Sequence, residues 1–291
     1  MIDLHTHTTY SDGTDDLTTL LINAEKSNLK VLSITDHVTC KSYEELSYMD
    51  VSQYYTGKIL TGCELYSTIE GQTIELLGYN IDTTLFNKLL PTMYYNEAED
   101  NKWQSKKLLQ ICHNLGIIMN YDTLKINYHT EFCGDIILNE IVKHPQNKNI
   151  FDNECAWYDS NIFYRECMTN SKSKFFINKT SFYPTINKVI DLIKSAGGLV
   201  FIPHIFIYGD NSMKFFNILT QNYSIDGIEC YYTLFTNEQT NFLLNYCNKN
   251  NLLISGGSDY HGKTKPNTYL GIGKGNMNIP KSILDNWNIK L

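Results

Sequence analysis

Arginine is almost missing from this chain of 291 residues, in which Arg165 is the only one. The formal net charge at pH 7 is −7. Affinity for long nucleic acid depends on many basic contacts to phosphates, so the composition argues against a protein that binds long duplexes. A small anionic substrate remains compatible with the charge, because bound cations reverse the local field. Such a substrate would be held by metal ions, lysines, backbone amides and hydroxyls.

Long apolar runs are also missing, and no stretch of about 18 apolar residues predicts a membrane span. The N-terminus has no basic region followed by an apolar stretch, so no export signal is visible and the cytoplasm is the expected compartment. The eight cysteines lie far apart, and no two form a Cys-x-x-Cys pair. They are therefore expected to be reduced and mostly buried thiols, not disulfides or a zinc ribbon.

Short apolar runs recur along the chain, and each ends in polar residues suited to chemistry. The runs lie at 2–4, 31–34, 59–60, 199–202, 225–228 and 252–254. Apolar residues at helical spacing follow several of them, as at 17–24, 186–193 and 242–247. Alternating strands and helices predict an α/β fold with a parallel sheet or barrel. In a barrel, the functional residues gather at the C-terminal ends of the strands.

The stretch from 90 to 183 interrupts this alternation. It is rich in Asn, Tyr and Lys, and its helical segments include 103–115 and 135–142. Candidate ligands lie on both sides of it, which favours an insertion that caps the barrel mouth. A second independent domain is the alternative. The predicted boundaries are 1–89 and 184–291 for the barrel domain and 90–183 for the inserted subdomain.

Histidines and carboxylates cluster at the predicted strand ends. His5 and His7 alternate along a strand, so both side chains point the same way. The remaining candidates at these positions are His37, His204, His261, Asp12, Asp36, Glu64 and Asp259. Imidazoles and carboxylates without thiolates suit Zn²⁺, Mn²⁺ or Fe²⁺. The pattern predicts a site for several ions, in which a carboxylate such as Glu64 bridges two of them. Two such ions can activate water and stabilise a phosphoryl displacement.

Five ordered segments together resemble the PHP family, named after polymerase and histidinol phosphatase. They are Asp-Leu-His-Thr-His-Thr-Thr-Tyr-Ser-Asp-Gly from 3 to 13, Ile-Thr-Asp-His from 34 to 37, Gly-Cys-Glu from 62 to 64, Ile-Pro-His from 202 to 204, and Gly-Gly-Ser-Asp-Tyr-His-Gly from 256 to 262. The resemblance implies a distorted (β/α)7 TIM-like barrel with an inserted, mainly helical capping subdomain. It also implies a trinuclear metal site.

The resemblance also distributes the ligands among three ions. The first would be held by His5, His7, Glu64 and Asp259, and the third by Asp12, His37 and His261. Glu64 and His204 would share the second, with Glu75 standing where the family usually has a histidine. Within this set the expected catalytic residues are Asp12, His37, Glu64, Asp259 and His261.

The branch that the sequence resembles most contains small phosphoesterases acting on nucleotides and short RNA ends. Leu77-Gly78-Tyr79 and the segments 228–232 and 259–266 are similar to that branch. Two departures concern the substrate. Cys133-Gly134-Asp135 stands where the branch usually has Arg-Pro-His, and another usual histidine is replaced near Phe235.

These observations favour metal-dependent hydrolysis of a small phosphomonoester or nucleotide, such as a mononucleotide, a nucleoside bisphosphate or a short oligoribonucleotide end. Histidinol phosphate is the alternative substrate. A second hypothesis is a metal-dependent amidohydrolase. That fold usually has a lysine at a strand end that bridges metals, and the sequence shows none. A non-catalytic metal-binding or regulatory barrel is the third reading. Oligomeric state is left open.

Overall fold

The computed structural model describes residues 1–289, apart from the side chain at position 97. Within this range seven strands form one sheet in chain order. They are β1 (Ile2–Thr6), β2 (Val31–Ile34), β3 (Lys58–Ile69), β4 (Gln72–Tyr79), β5 (Leu199–Ile202), β6 (Gly227–Tyr232) and β7 (Leu253–Gly257). The predicted apolar runs correspond to every strand except β4.

Helices connect most of these strands, as the alternating pattern predicts. They are α1 (Leu17–Lys26), α2 (Lys41–Leu46), α3 (Thr83–Leu89), α4 (Glu97–Asn114), α5 (Cys133–Ile141), α6 (Ser160–Ile162), α7 (Ile186–Ser195), α8 (Ser212–Asn222) and α9 (Asn237–Asn250). Asp16 begins α1 by accepting a hydrogen bond from the Thr19 amide. None of the helices in residues 1–289 combines the length and the apolar character needed to cross a membrane.

Strand β4 departs from the parallel sheet that the sequence predicts. It pairs antiparallel with β3 and with β5, whereas the other neighbouring strands pair parallel. Glu70 and Gly71 connect β3 to β4, and both have positive φ, at 46° and 78°. Two such residues fit a tight hairpin whose twist matches the flanking strands. The hairpin therefore replaces a helical crossover at this point.

The sheet closes almost completely into a barrel where β1 meets the end of β7. The Asp259 amide donates to the His5 carbonyl at 2.9 Å, and the His7 amide donates to the Tyr260 carbonyl at 2.9 Å. Below this contact the buried Asp3 carboxylate accepts hydrogen bonds from Ser258 and from the Gly271 amide. The nearly closed seven-stranded α/β barrel confirms the predicted fold class.

The barrel interior is apolar and includes residues from the C-terminal segment. Trp287 lies 3 % exposed, stacks on Phe201 with ring centroids 4.6 Å apart, and donates from Nε1 to the Ile254 carbonyl. It belongs to a core cluster that also contains residues of β1 to β5. This core supports the strands from which the polar residues project.

The chain divides into two compact units, residues 1–93 with 183–291 and residues 94–182. The second unit is mainly helical and has its own apolar core, which includes Ile137, Phe151, Phe163 and Phe175. Its role as a cap remains a prediction. The eight cysteines are free, and all except Cys155 are buried.

Candidate metal centre

All nine predicted ligands project into one cluster in the barrel unit. His5 lies on β1, with His7 just beyond it, and His37 follows β2. Glu75 lies on β4, His204 follows β5, and Asp259 and His261 follow β7. Glu64 differs from the expected position at a strand end, because β3 continues past it to residue 69. The cluster is nevertheless built on successive strands, as the sequence predicts.

The first group of ligand atoms surrounds one point between β1, β3 and β7. His5 Nε2 lies 3.1 Å from Glu64 Oε2 and 3.7 Å from Asp259 Oδ1. His7 Nε2 lies 3.3 Å and 3.4 Å from the same two oxygens. Ligands bound tetrahedrally at about 2.1 Å are roughly 3.4 Å apart, so these separations fit one coordinated ion.

The group expected to hold the third ion contains Asp12, His37 and His261. His261 Nε2 lies 3.1 Å from Asp12 Oδ1, and His37 Nε2 lies 3.8 Å from Asp12 Oδ2. His7 contributes its other nitrogen here, since Nδ1 lies 3.6 Å from Asp12 Oδ1. The two nitrogens of His7 thus face two groups, which the sequence does not indicate. The Asp12 side chain is 57 % exposed and forms the open side of the cluster.

The group expected to hold the second ion brings Glu75 to His204 and Glu64. His204 Nε2 lies 2.9 Å from Glu64 Oε1 and 3.5 Å from Glu75 Oε2. One ligand atom of His37 also lies within 4.8 Å of ligand atoms of Glu64 and Glu75, which lie within the same distance of each other. Glu64 Oε1 therefore faces His204, while Oε2 faces His5 and His7. This is the geometry of a carboxylate able to bridge two ions.

Unpartnered buried nitrogens show that the cluster suits cations. His7 Nε2, His37 Nδ1 and His204 Nδ1 are buried without a hydrogen-bond partner. Buried polar atoms are normally paired, and each exception needs a reason. His7 Nε2 faces two carboxylate oxygens, Glu64 Oε2 and Asp259 Oδ1. A metal ion bound by these oxygens would be coordinated by His7 Nε2 as well. The donor set and these unpaired atoms fit divalent metal ions.

The carboxylates of the cluster also shift the pKa values of the groups that face them. Burial lowers the pKa of His5, but the carboxylates of Glu64 and Glu229 outweigh burial and raise it well above its usual value. In His7, burial is likewise outweighed, by Asp259 and Glu64, and the pKa rises to about 9. Burial and the charge of Glu64 raise the pKa of Glu75 to about 7. The crowded carboxylates thus favour the protonated forms of His5, His7 and Glu75.

Glu229 contacts two of the predicted ligands, although the sequence does not mark it as a site residue. It is fully buried on β6, with Oε1 2.9 Å from His5 Nδ1 and Oε2 accepting from the His204 amide at 2.7 Å. A carboxylate on the second nitrogen of a ligating imidazole fixes the ring and its tautomer. The available signal is a single acid within the apolar run Ile228-Glu229-Cys230.

Asp36, a candidate ligand in the sequence, is hydrogen-bonded to the segment that follows β1. Its carboxylate accepts hydrogen bonds from the Thr8 amide and hydroxyl and from the Ser11 hydroxyl, each at 2.7 Å. It therefore fixes the turn that leads to Asp12. Orientation of Asp12 depends on this turn.

The chain is similar to known proteins in sequence and in fold. The sequence profile of the PHP domain matches residues 3–131. A 5′-3′ exoribonuclease of Haemophilus influenzae is 26% identical over 292 residues, which cover 98% of this chain and 97% of the relative.

Two solved structures show the fold. One, from Bifidobacterium adolescentis, is described provisionally as a metal-dependent phosphoesterase; it has 24% identity and a TM-score of 0.65, over 97% of this chain and 93% of the other. The second is an amidohydrolase from Chromobacterium violaceum with bound sulfate and no metal; it has 19% identity and a TM-score of 0.64, over 93% and 89% of the two chains. At these identities the likeness concerns the fold alone.

Proposed function

We propose that this chain, whose residues 3–131 match the PHP domain, is a metal-dependent phosphoesterase of that family acting on nucleotides or the ends of short oligoribonucleotides. The observation that carries the proposal is the division of the Glu64 carboxylate between ligand groups. One buried acid thereby joins positions for neighbouring ions, an arrangement used in phosphoryl displacement.

Three positions would hold the ions. Four ligands, His5, His7, Glu64 and Asp259, form the first position. Glu64, Glu75 and His204 form the second, and Asp12, His37 and His261 form the third. Mn²⁺, Zn²⁺ and Fe²⁺ all suit imidazole and carboxylate donors. When bound, such ions supply an activated water and neutralise charge on the phosphoryl oxygens.

The protein's own residues keep these ligands in place. Glu229 Oε1 contacts His5 Nδ1, the ring nitrogen opposite the ligand group, at 2.9 Å. The Tyr232 hydroxyl donates to Asp259 Oδ2 at 2.8 Å. The other oxygen of Asp259 is thereby directed toward the imidazoles of His5 and His7. Such fixed geometry lowers the cost of reorganisation during the reaction.

The substrate class rests on different support. Similarity to the Haemophilus influenzae exoribonuclease extends over nearly the whole chain and favours nucleotides or RNA ends. A net charge of −7 disfavours contacts along a long nucleic acid. We therefore place mononucleotides, nucleoside bisphosphates and short 5′-phosphorylated oligoribonucleotides before histidinol phosphate.

The test is a hydrolysis panel with the full-length protein and Mn²⁺, Zn²⁺ or Fe²⁺. Substrates are an aryl phosphate, 5′-AMP, a nucleoside 3′,5′-bisphosphate, a short oligoribonucleotide, histidinol phosphate and an aryl amide. We expect phosphoester cleavage, reduced at least about 100-fold in Asp259→Asn and His37→Ala because ligands are lost. Glu70→Gln, in the exposed β3–β4 hairpin, should retain activity.

Other results would contradict this proposal in distinct ways. Amide turnover without phosphoester cleavage would identify an amidohydrolase. Stoichiometric metal without turnover of any substrate would indicate a binding or regulatory barrel. Preference for histidinol phosphate over every nucleotide would leave the chemistry intact and overturn the substrate class.

A further inference from the structure

A single lysine side chain reaches the metal-ligand cluster among the ion pairs of residues 1–289. Lys265 Nζ lies 2.5 Å from Asp259 Oδ2. The same oxygen accepts from the Tyr232 hydroxyl, whereas Oδ1 faces the imidazoles. Lys265 therefore contacts the outer oxygen of a proposed ligand, on the side away from the shared ion position.

The backbone around Lys265 is held close to His261. Its amide donates to the Gly262 carbonyl at 3.3 Å, and its carbonyl accepts from the Thr268 amide at 3.0 Å. The Thr264 hydroxyl donates to the His261 carbonyl at 3.0 Å. The base of the lysine side chain is thus fixed beside a proposed ligand, while its four-carbon stem remains flexible.

Exposure distinguishes the ammonium from the carboxylate that it contacts. The Lys265 side chain is 38% exposed, and that of Asp259 is 7% exposed. The ammonium end of this pair reaches solvent, and Asp259 Oδ2 also accepts from the Tyr232 hydroxyl. The ammonium can therefore turn to another anion without leaving that oxygen unpartnered. Ions bound by Asp259 would favour that exchange, since like charges repel.

We propose that Lys265 is a substrate-binding residue, whose ammonium leaves Asp259 for a phosphate oxygen of the substrate when the metal positions are filled. This inference rests on the proposed phosphoesterase function. It supplies the barrel unit with a phosphate-binding cation of its own, while the chain's single arginine, Arg165, belongs to the other unit. A charge-assisted hydrogen bond to phosphate is stronger than a neutral one.

The experiment compares full-length wild type with Lys265→Met, Lys265→Arg and Lys263→Met after loading with Mn²⁺. Lys263 is the matched control, because it lies in the same loop, is exposed and carries the same charge. Calorimetry measures the dissociation constant of inorganic phosphate, and elemental analysis measures bound Mn²⁺. KM and kcat are then measured with the nucleotide that the wild type cleaves best.

We expect phosphate to bind about 10- to 100-fold more weakly to Lys265→Met, because a hydrogen bond between charged groups is lost. Its KM should rise with little change in Mn²⁺ content. Lys265→Arg should recover most of the phosphate affinity, and Lys263→Met should match the wild type.

Two outcomes overturn this role for Lys265 while leaving the enzyme assignment standing. One is unchanged phosphate affinity and KM in Lys265→Met. The other is a loss of phosphate binding that only follows lost Mn²⁺, which would make Lys265 a support for Asp259. A wild-type protein that binds Mn²⁺ but neither binds phosphate nor cleaves any phosphoester would overturn the proposed function as well.

Discussion

At the scale of single residues, the site depends on carboxylates whose two oxygens have different partners. Glu64 divides its oxygens between two ligand groups, and Glu229 divides its own between the His5 ring and the His204 amide. The ligand types were predictable, because histidines and acids follow apolar runs. Glu229 was not, since its partner His5 lies 224 residues away and nothing in the local sequence indicates that contact.

Replacing Glu229 with glutamine should weaken metal binding. The amide keeps the size of the side chain but removes the charge that orients His5. Such changes typically lower the affinity for metal by about 10- to 100-fold. Competition with a chelator of known affinity measures the effect. Glu238→Gln, on the exposed start of α9, is the control. Equal affinities in both variants would show that Glu229 does not support a ligand.

Glu75 should influence which metal is bound. The group around His204 contains two carboxylates, whose oxygens suit Mn²⁺, while an imidazole suits Zn²⁺ better. Glu75→His is expected to shift preference toward Zn²⁺ by about tenfold. Competitive dialysis followed by elemental analysis gives the ratio. Glu70→His is the control, and an identical metal ratio in the two variants would exclude Glu75 from the site.

At the scale of secondary structure, the alternating strands and helices were predictable but β4 was not. Its sequence is Gln-Thr-Ile-Glu-Leu-Leu-Gly-Tyr, in which Glu75 interrupts the apolar residues, and the two-residue turn before it uses Glu70 in an uncommon positive-φ conformation. Strand direction therefore depended on a turn that the sequence signals weakly. Closure of the barrel was predictable, but the Asp3 contact that stabilises it was not, because Asp3 and Ser258 are 255 residues apart.

The Asp3 contact should be important for barrel closure. Asp3→Asn keeps one acceptor but turns an amide N–H group toward Ser258 or Gly271, which are donors. Leaving buried donors unpaired should reduce the free energy of unfolding by about 2–4 kcal/mol. Urea denaturation measures this change, with the exposed Asp50→Asn as control. A difference from wild type below about 0.5 kcal/mol would contradict the expectation.

At the scale of the whole molecule, the two compact units have separate cores. Phe163 is fully buried in the unit of residues 94–182, where its ring centroid lies 5.3 Å from that of Phe175. Phe163→Ala should destabilise that unit by about 3–5 kcal/mol. Hydrogen exchange should locate the loss in residues 94–182, while bound metal stays at the wild-type level. Loss of metal in step with exchange would contradict separate cores.

Metal removal should destabilise the barrel unit, because convergent carboxylates lose their counter-charge. A ligand that binds only the folded state raises the melting temperature in proportion to the logarithm of its concentration. Scanning calorimetry with and without a chelator measures this effect. A chelated protein that melts at the same temperature would contradict a metal site within the fold.

The pH dependence of metal binding follows from His7. Its pKa of about 9 exceeds the usual value of 6.5, so at pH 7 a proton competes with the ion. Affinity should rise up to about pH 9, and binding at pH 7 should release that proton. The metal-free protein should conversely lose stability as the pH rises from 6.5 to about 9. Calorimetry in buffers of different ionisation enthalpy counts the protons, and no release would contradict the assignment.

The shared Glu64 carboxylate has a thermodynamic consequence for loading. Two positions that use opposite oxygens of one side chain cannot fill independently. An ion at one oxygen withdraws charge from the other but also fixes its direction, so the first binding event changes the affinity of the second. Reciprocity then requires the second ion to change the affinity of the first by the same factor. Metal binding to the centre should therefore show positive or negative cooperativity, whichever position fills first.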